Sequence, residues 1–339
     1  MFDPDAAASP GSGVFGLPST REGSRVVLLA CPYDATTSYR PGTADGPSAI
    51  LRASHQVDLH DGRYGPIHEQ GIWMDNESSA VERIRSLSVR ASIRSRAIVE
   101  RGGATAEDRA DLDDIDATGT RVEEIVRGFA SSALREGKVP GVIGGEHAVS
   151  LGAIRASAEG GEVGVLQVDA HMDFRESFEG FRWSHASVMY NAMTTTPGVA
   201  VIVQVGIRDF GASEAAFGQS LGERCRTHFD EDWKDRLASG ERYLDLCRRA
   251  IEPLPGRVHV SFDIDGLDPC LCPHTGTPVP GGLSFHEAVT LLHAVRESGR
   301  RIVGFDLVEV APGPDPAEPD WDANVGARLL YKMCGAAGA

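Results

Sequence analysis

Apolar positions in this chain fall into short unbroken runs, separated by longer stretches with helical spacing. "RVVLLACPYD" (25–34) reads as a buried strand running into a loop, and "ATTSYRPGTADGPSAILRAS" carries Gly/Pro punctuation before a helix start. From residue 121 strands and helices alternate. "RVEEIVRGFASSALREG" is an amphipathic helix, "VPGVIGGEH" a strand ending in a glycine turn, "SLGAIRASAEG" a helix closed by Gly, and "VGVLQVDAHMD" a strand. "HASVMYNAMTT" is a helix, "VAVIVQVGIRD" and "RVHVSFDIDGLDP" are strands, and "SFHEAVTLLHAVRESG" is a helix opened by a Ser cap with Glu three residues on. "RIVGFDLVEVAP" and "DANVGARLLYKM" supply a final strand and helix.

Strands that are almost continuously Val, Ile and Leu, alternating with helices, predict an α/β fold whose mostly parallel sheet is covered on both faces. No internal repeat or linker interrupts residues 25–339, which are expected as one domain behind a flexible lead-in, 1–24. Residues 76–118 are highly charged. "SAVERIRSLSVRASIRSRAIVERGG" has a helical pattern, and the acidic "AEDRADLDDID" after it reads as a solvated loop or an oligomer contact.

Charge and cysteine content narrow the function. A net charge of −16 argues against nucleic acid or an anionic membrane as partner and mildly favours a cationic substrate. No apolar run is long enough to span a bilayer. The N-terminus lacks the basic-then-apolar order of a secretory signal. Six cysteines in so long a chain do not form a disulfide framework, so a reduced, cytoplasmic setting is expected.

The candidate chemistry lies at strand ends, where such sheets bind ligands. These are His147 in "GGEH", Asp169, His171 and Asp173 in "DAHMD", Asp263, Asp265 and Asp268 in "SFDIDGLDP", and Asp306 and Glu309 in "GFDLVEV". Period-two spacing places Asp169, His171 and Asp173 on one face if the strand continues that far, with Ala170 and Met172 pointing into packing. Carboxylates buried together repel one another and lose hydration, a conflict that divalent cations remove. Four Asp and two His suit Mn²⁺ or Ni²⁺ better than a thiolate-held zinc. Six ligands are too many for one ion with an open position, and fit two ions about 3.5 Å apart that share carboxylates.

In combination, "GGEHAVSLGA", "DAHMDFR", "SFDIDGLDP" and "TGTPVPGGLS" resemble, in order, the signature blocks of the ureohydrolase family of arginases and agmatinases. The likeness runs from about residue 26 to the C-terminus; "PYDATTSYRPGTADGPSAI", "FEGFRWSHASVM" and "QVGIRDF" look most like the agmatinase branch. The resemblance implies a three-layer arginase-like fold, assembled as trimers or hexamers, and hydrolysis of a guanidino compound to urea and an amine. It implies His147, Asp169, Asp173 and Asp263 around one metal, and Asp169, His171, Asp263 and Asp265 around a second. Manganese is the first choice and nickel the alternative. Asp173 and His185 would move protons, Glu309 would grip the guanidinium, and Thr277, Trp183 and Glu179 would also meet the substrate.

The tail of the substrate stays open between agmatine-like amines, 4-guanidinobutyrate, free guanidine and alkylguanidines. Arg175 could meet a carboxylate, and the neighbouring acidic residues a cation. Cys270 and Cys272 are soft ligands or packing, and His274 a candidate for the pocket mouth. Two rival readings are a non-catalytic subunit of a hetero-oligomer with a related chain, and an amidohydrolase acting on an acetylated amine.

Overall fold

The computed structural model describes residues 2–9, 11–315 and 320–338. Among them, eight strands form one sheet: β1 (Val26–Cys31), β2 (Ile72–Asp75), β3 (Val139–Gly144), β4 (Val163–Val168), β5 (Val199–Ile207), β6 (Cys225–Phe229), β7 (Arg257–Asp263) and β8 (Arg301–Val308). Their order is β2-β1-β3-β8-β7-β4-β5-β6, and every pairing is parallel. The central strands are buried along almost their whole length, as apolar runs in a doubly covered sheet must be. Helices α1 (Gly46–Ser54), α8 (Tyr243–Ile251), α9 (Phe285–Glu297) and α10 (Trp321–Ala337) pack against one another in one layer. Helices α2 (Ser79–Glu100), α3 (Arg109–Arg135), α4 (Ser150–Glu159) and α5 (Val188–Thr195) make the other. Two further short helices, α6 (Ala212–Ser220) and α7 (Asp230–Ala238), flank β6. The α/β arginase-like architecture expected from the sequence is the one observed.

Three local readings change. The lead-in is part of the core: Val14, Phe15 and Leu17 are buried, the Phe15 N–H donates to Ser54 Oγ at 2.8 Å, and its ring lies 4.7 Å from that of Tyr331. The acidic stretch before residue 119 is not a loop but the opening turns of α3. Its carboxylates face the arginines of α2: Arg94 reaches Asp111 and Asp114, Arg90 pairs with Asp114, and Arg101 with Asp108. Exposed pairs of this kind add little to stability; what they settle is how the hairpin's outer faces mate. The inner face of α2 is held by Val81, Ile84, Leu87, Ala91 and Ile98, at helical spacing. Finally, "GIWMD" forms the edge strand β2, too short and too interrupted by tryptophan and aspartate to stand out from its loop.

Where β3 ends, Gly145 lets the chain turn against the loop after β1. Its N–H donates to Cys31 O, and a Cβ there would lie 1.8 Å from Tyr33 O. Gly145→Ala is therefore expected to lower stability by about 2–3 kcal/mol or more, because backbone must move. Gly128, inside α3 with open space where a Cβ would go, gives the opposite expectation: Gly128→Ala should raise stability by up to about 1 kcal/mol. Thermal midpoints of the two variants measure both.

Candidate metal centre

The carboxyl ends of four neighbouring strands, β3, β8, β7 and β4, meet at the middle of the sheet and carry the residues picked from the sequence. His147 opens a short 3-10 turn just past β3, Glu309 follows β8, Asp263 ends β7, Asp265 sits in the 3-10 turn Ile264–Gly266, and Asp169 follows β4. All six expected ligands come together. His147 Nδ1 lies 3.1 Å from Asp169 Oδ2, 2.9 Å from Asp173 Oδ2 and 3.3 Å from Asp263 Oδ2. His171 Nδ1 lies 3.0 Å from Asp265 Oδ2 and 3.6 Å from Asp169 Oδ1. His147, Asp169 and Asp263 can converge on one point, and Asp169, His171 and Asp265 on a second, with Asp169 common to both.

The spacing in "DAHMD" arises differently from the way the sequence suggested. The β4 ladder stops at Val168, and the next residues form a loop. Asp169 Oδ1 accepts the His171 N–H at 2.6 Å, and Asp173 takes a left-handed conformation at φ 55°. For an aspartate this conformation is tolerable, and it turns the carboxylate back toward His147. Ala170 and Met172 do pack inward.

Donors fixed behind the cluster decide its charge. The Ser261 hydroxyl lies 2.9 Å from His147 Nε2 and donates its one hydrogen to Asp306 Oδ1 at 2.8 Å. Ser261 can then only accept from His147, so Nε2 carries the proton and Nδ1 is left as a bare lone pair. That lone pair is buried, makes no hydrogen bond among the described residues, and faces three carboxylates. Lone pair and carboxylates repel unless a proton or cation sits between them. The donor set, one imidazole and three carboxylates, fits a divalent ion of the manganese or nickel type. Behind Asp306, His259 Nε2 lies 2.8 Å from Oδ2, and Ser157 Oγ 2.9 Å from His259 Nδ1, all fully buried. Gln204 and Gln167 brace the other side, with Gln167 Nε2 donating to Asp169 Oδ2 at 2.8 Å. Arg208 ties the outer loops by donating to the carbonyls of Asp265, Leu267 and Val279.

These buried groups carry a strained protonation state without a cation. Burial, then Asp169, pushes the Asp173 carboxyl up to about 7. Burial and the Asp265 and Asp169 charges raise Asp263 well above the carboxylate range. Burial, then Glu146, does the same to Glu309.

A cleft of about 160 Å³ opens over the cluster. Glu309, Thr277 and His185 line it, as expected. Glu309 is held at φ 61°, an arrangement worth roughly 1–3 kcal/mol of strain, by its N–H to Gly145 O and by Thr275 Oγ1 on its carbonyl. One carboxylate oxygen accepts the His147 N–H at 2.7 Å, leaving the other for the cleft. His185 Nε2 lies 3.4 Å from Ser38 Oγ. Burial and the neighbouring His171 and His147 hold its imidazole down at about 4.

Trp183 and Glu179 are not in the cleft. The Trp183 ring is buried edge-on against Tyr33 and over Gly119 of α3, and Glu179 turns away at φ 54° beside Ala104. The same loop contributes Arg175 and Phe178 instead, and the segment after β5 supplies Asp209, Phe210 and Glu214. Arg175 is neutralised by buried Glu214 at 3.4 Å and packs 4.6 Å over Phe178, while the exposed Asp209 side chain has no partner among the described residues. His274 is also outside the cleft, bound to Asp322 at 2.9 Å. Cys272 is buried with its thiol on Ile264 O, and Cys270 is exposed. Of the residues not foreseen, His259 and Ser261 had a signal: with Asp263 they are the polar positions of period two in an otherwise apolar strand. Asp209 lies in the "QVGIRDF" block noted from the sequence, and Glu214 had no signal.

Residues 24–335 match the arginase family. The chain is 29% identical over 315 residues to an N(1)-aminopropylagmatine ureohydrolase of Synechocystis sp., spanning 91% of this chain and 88% of that one. It is 32% identical over 324 residues to the enzyme of the same name from Thermus thermophilus, spanning 94% and 92%. Among solved structures, agmatine ureohydrolase of Thermoplasma volcanium superposes with a TM-score of 0.71 at 24% identity, over 96% of this chain and 94% of that one.

Two outcomes follow from the protonation of the cluster. Groups whose folded pKa is raised must lose protons before a cation binds. Metal uptake should therefore release protons, and apparent affinity should climb with pH through the range near 7 where Asp173 loses its proton. Calorimetry in buffers of different ionisation heat measures this, and a pH-independent affinity would remove Asp173 from the ligand set. Ser261→Ala frees the His147 tautomer without touching a ligand. It should weaken metal binding by about 10–100-fold at unchanged stoichiometry, read by competition with a chelating dye.

Proposed function

The chain belongs to the arginase family, and from that premise we propose that it is a binuclear-metal amidinohydrolase splitting a guanidino compound with a cationic tail into urea and an amine. The observation that carries this reading is the His/Asp cluster with its bare, buried imidazole nitrogen, roofed by a buried carboxylate that lacks a cation of its own.

The ligand assignment follows the oxygens and nitrogens that converge. His147, Asp169, Asp173 and Asp263 would hold one ion, and Asp169, His171, Asp263 and Asp265 the other, with Asp169 and Asp263 shared. Manganese is the first choice and nickel the alternative. When bound, the ions lower the pKa of water toward neutrality and so supply a nucleophile. The rest falls to the chain's own groups. Glu309 is buried beside Glu146 and gains most from a positive partner, which the guanidinium supplies; pairing orients the central carbon over the cluster. Thr277 Oγ1, 3.4 Å from Asp265 Oδ2, steadies that side of the cleft. Asp173, with Oδ2 2.9 Å from His147 Nδ1 and its carboxylate lining the cleft, is placed to take a proton from the nucleophile and pass it to the departing amine. His185, a neutral imidazole with its Nδ1 unpartnered among the described residues, can carry protons between cleft and solvent past Ser38.

At the mouth, Arg175 is already neutralised, so the unspent charge is that of Asp209. That supports a tail ending in an amine, as in agmatine, over one ending in a carboxylate. Six unpaired cysteines suit the reducing cytoplasm, and exposed Val89 and Ile93 on α2 suit a contact between copies in a homo-oligomer.

The test is urea release after loading with Mn²⁺ or Ni²⁺, with agmatine, N-aminopropylagmatine, 4-guanidinobutyrate, arginine and free guanidine. Amine-tailed guanidines should lead, and Asp209→Asn should cost them about tenfold in kcat/KM while sparing neutral substrates. Absence of urea from every compound, with both metal sites loaded, would defeat the reading. A preference for the carboxylate tail would move specificity from Asp209 to Arg175.

A further inference from the structure

Four neighbouring strands begin on a cation. Arg25 precedes β1, Lys138 precedes β3, and Arg301 and Arg257 are the first residues of β8 and β7. These strands lie side by side in the order β1-β3-β8-β7. Val26 pairs with Val139, and Arg257 is the register partner of Arg301. The row runs along the end of the sheet opposite the metal centre. Arg135, the last residue of α3, joins it, and the five line a cleft of about 510 Å³. In a chain with 33 basic and 49 acidic residues, five cations around one cleft run against composition. The one carboxylate there, Glu159, is already taken by Arg127 Nε at 2.6 Å and Ser131 Oγ at 2.7 Å.

A structural duty accounts for part of the row. Arg25 donates to Gly137 O beyond the end of α3, Arg257 to Ser157 O and Gly161 O at the end of α4, and Lys138 to the carbonyls of Arg21, Glu22 and Ser24. Helix ends leave such carbonyls without partners, and basic side chains satisfy them. A carbonyl uses a donor but does not cancel a formal charge, however. Arg135 and Arg301 have not even that use: neither has a hydrogen-bond or ion-pair partner among the described residues. Burial, then the adjacent Arg301 charge, lowers Arg257 below the ordinary arginine range.

We infer that this cleft binds a small oxyanion carrying two or more negative charges, of the phosphate or dicarboxylate kind. Arg135 and Arg301 present free guanidinium forks, whose paired N–H groups match two oxygens of such a group. Arg25, Lys138 and Arg257 add to a field that Glu136, near Lys138, and Glu159, near Arg135, offset only in part. The volume is that of a small-metabolite site. Nothing in this inference depends on the guanidine chemistry at the other end of the sheet.

Isothermal titration of metal-loaded protein with glutarate, and separately with inorganic phosphate, tests it, with ionic strength held constant by sodium chloride. Saturable binding of at least one of them is expected, and should weaken by about tenfold or more in the Arg135→Ala/Arg301→Ala double variant. Both side chains are exposed, so the variant should keep its fold and metal content, checked by circular dichroism and metal analysis. No saturable binding of either anion overturns the inference. So does binding that the double variant leaves intact, which would assign the anion to the metal centre.

Discussion

One lone pair sets the terms for the site. In the neutral ring His147 Nδ1 is bare, because the hydroxyl of Ser261, committed to Asp306, can only accept from the other ring nitrogen. Three carboxylates crowd the same point from the loop after β4 and the end of β7, at 2.9–3.3 Å. Such a group is tolerable only around positive charge. Four strand ends have to be brought together to assemble it, and the parallel order β3-β8-β7-β4 does so without long connections through the core. The cluster is thus a repulsive element that the fold holds together, and its affinity for cations is the other side of that repulsion.

The same order polarises the sheet. Acidic and imidazole groups gather at the carboxyl ends of its central strands, cations at their beginnings. Helix α3 ends at the cationic end, where basic side chains complement its dipole, so part of the separation follows from ordinary helix-end electrostatics. The acidic end has no comparable structural duty. Its side chains are held at φ 55° and 61° at Asp173 and Glu309, conformations that cost energy and are kept by hydrogen bonds from Tyr190 and Thr275. Of the four non-glycine residues with positive φ among the described residues, these two face the cleft, and Phe15 and Glu179 do not.

The sheet and the residues of the His/Asp cluster were legible in the sequence because both rest on local signals: unbroken apolar runs for the strands, and acid and imidazole groups at their ends. The sequence misled where contact across the chain decides. The acidic turns of α3 look like solvent-facing loop until the arginines of α2 are placed beside them. Trp183 and Glu179 stand in the loop expected to meet substrate, but the loop folds back on Phe178 and Phe181, exchanging N–H and carbonyl groups there. That sends the indole into the core and turns Glu179 away from the cleft. The residues that do face the cleft, Asp209 and Glu214, come from the segment after β5, whose place beside the loop after β4 is fixed only by tertiary contact.

Glu214 shows how such a segment still sets the charge of the cleft mouth. It is buried and accepts N–H groups from Phe174 and Gly211, so it links the loop after β4 to the start of α6. Having done so, it stands 3.4 Å from Arg175, whose guanidinium is also stacked on Phe178. The one cation at the mouth is therefore spent on holding the wall together. Net charge at the mouth passes to Asp209, one residue beyond the Arg208 clamp and fixed by its N–H on Ala170 O. A chain that supplies an arginine at this place does not on that account select a carboxylate; the buried glutamate behind it reverses the sign.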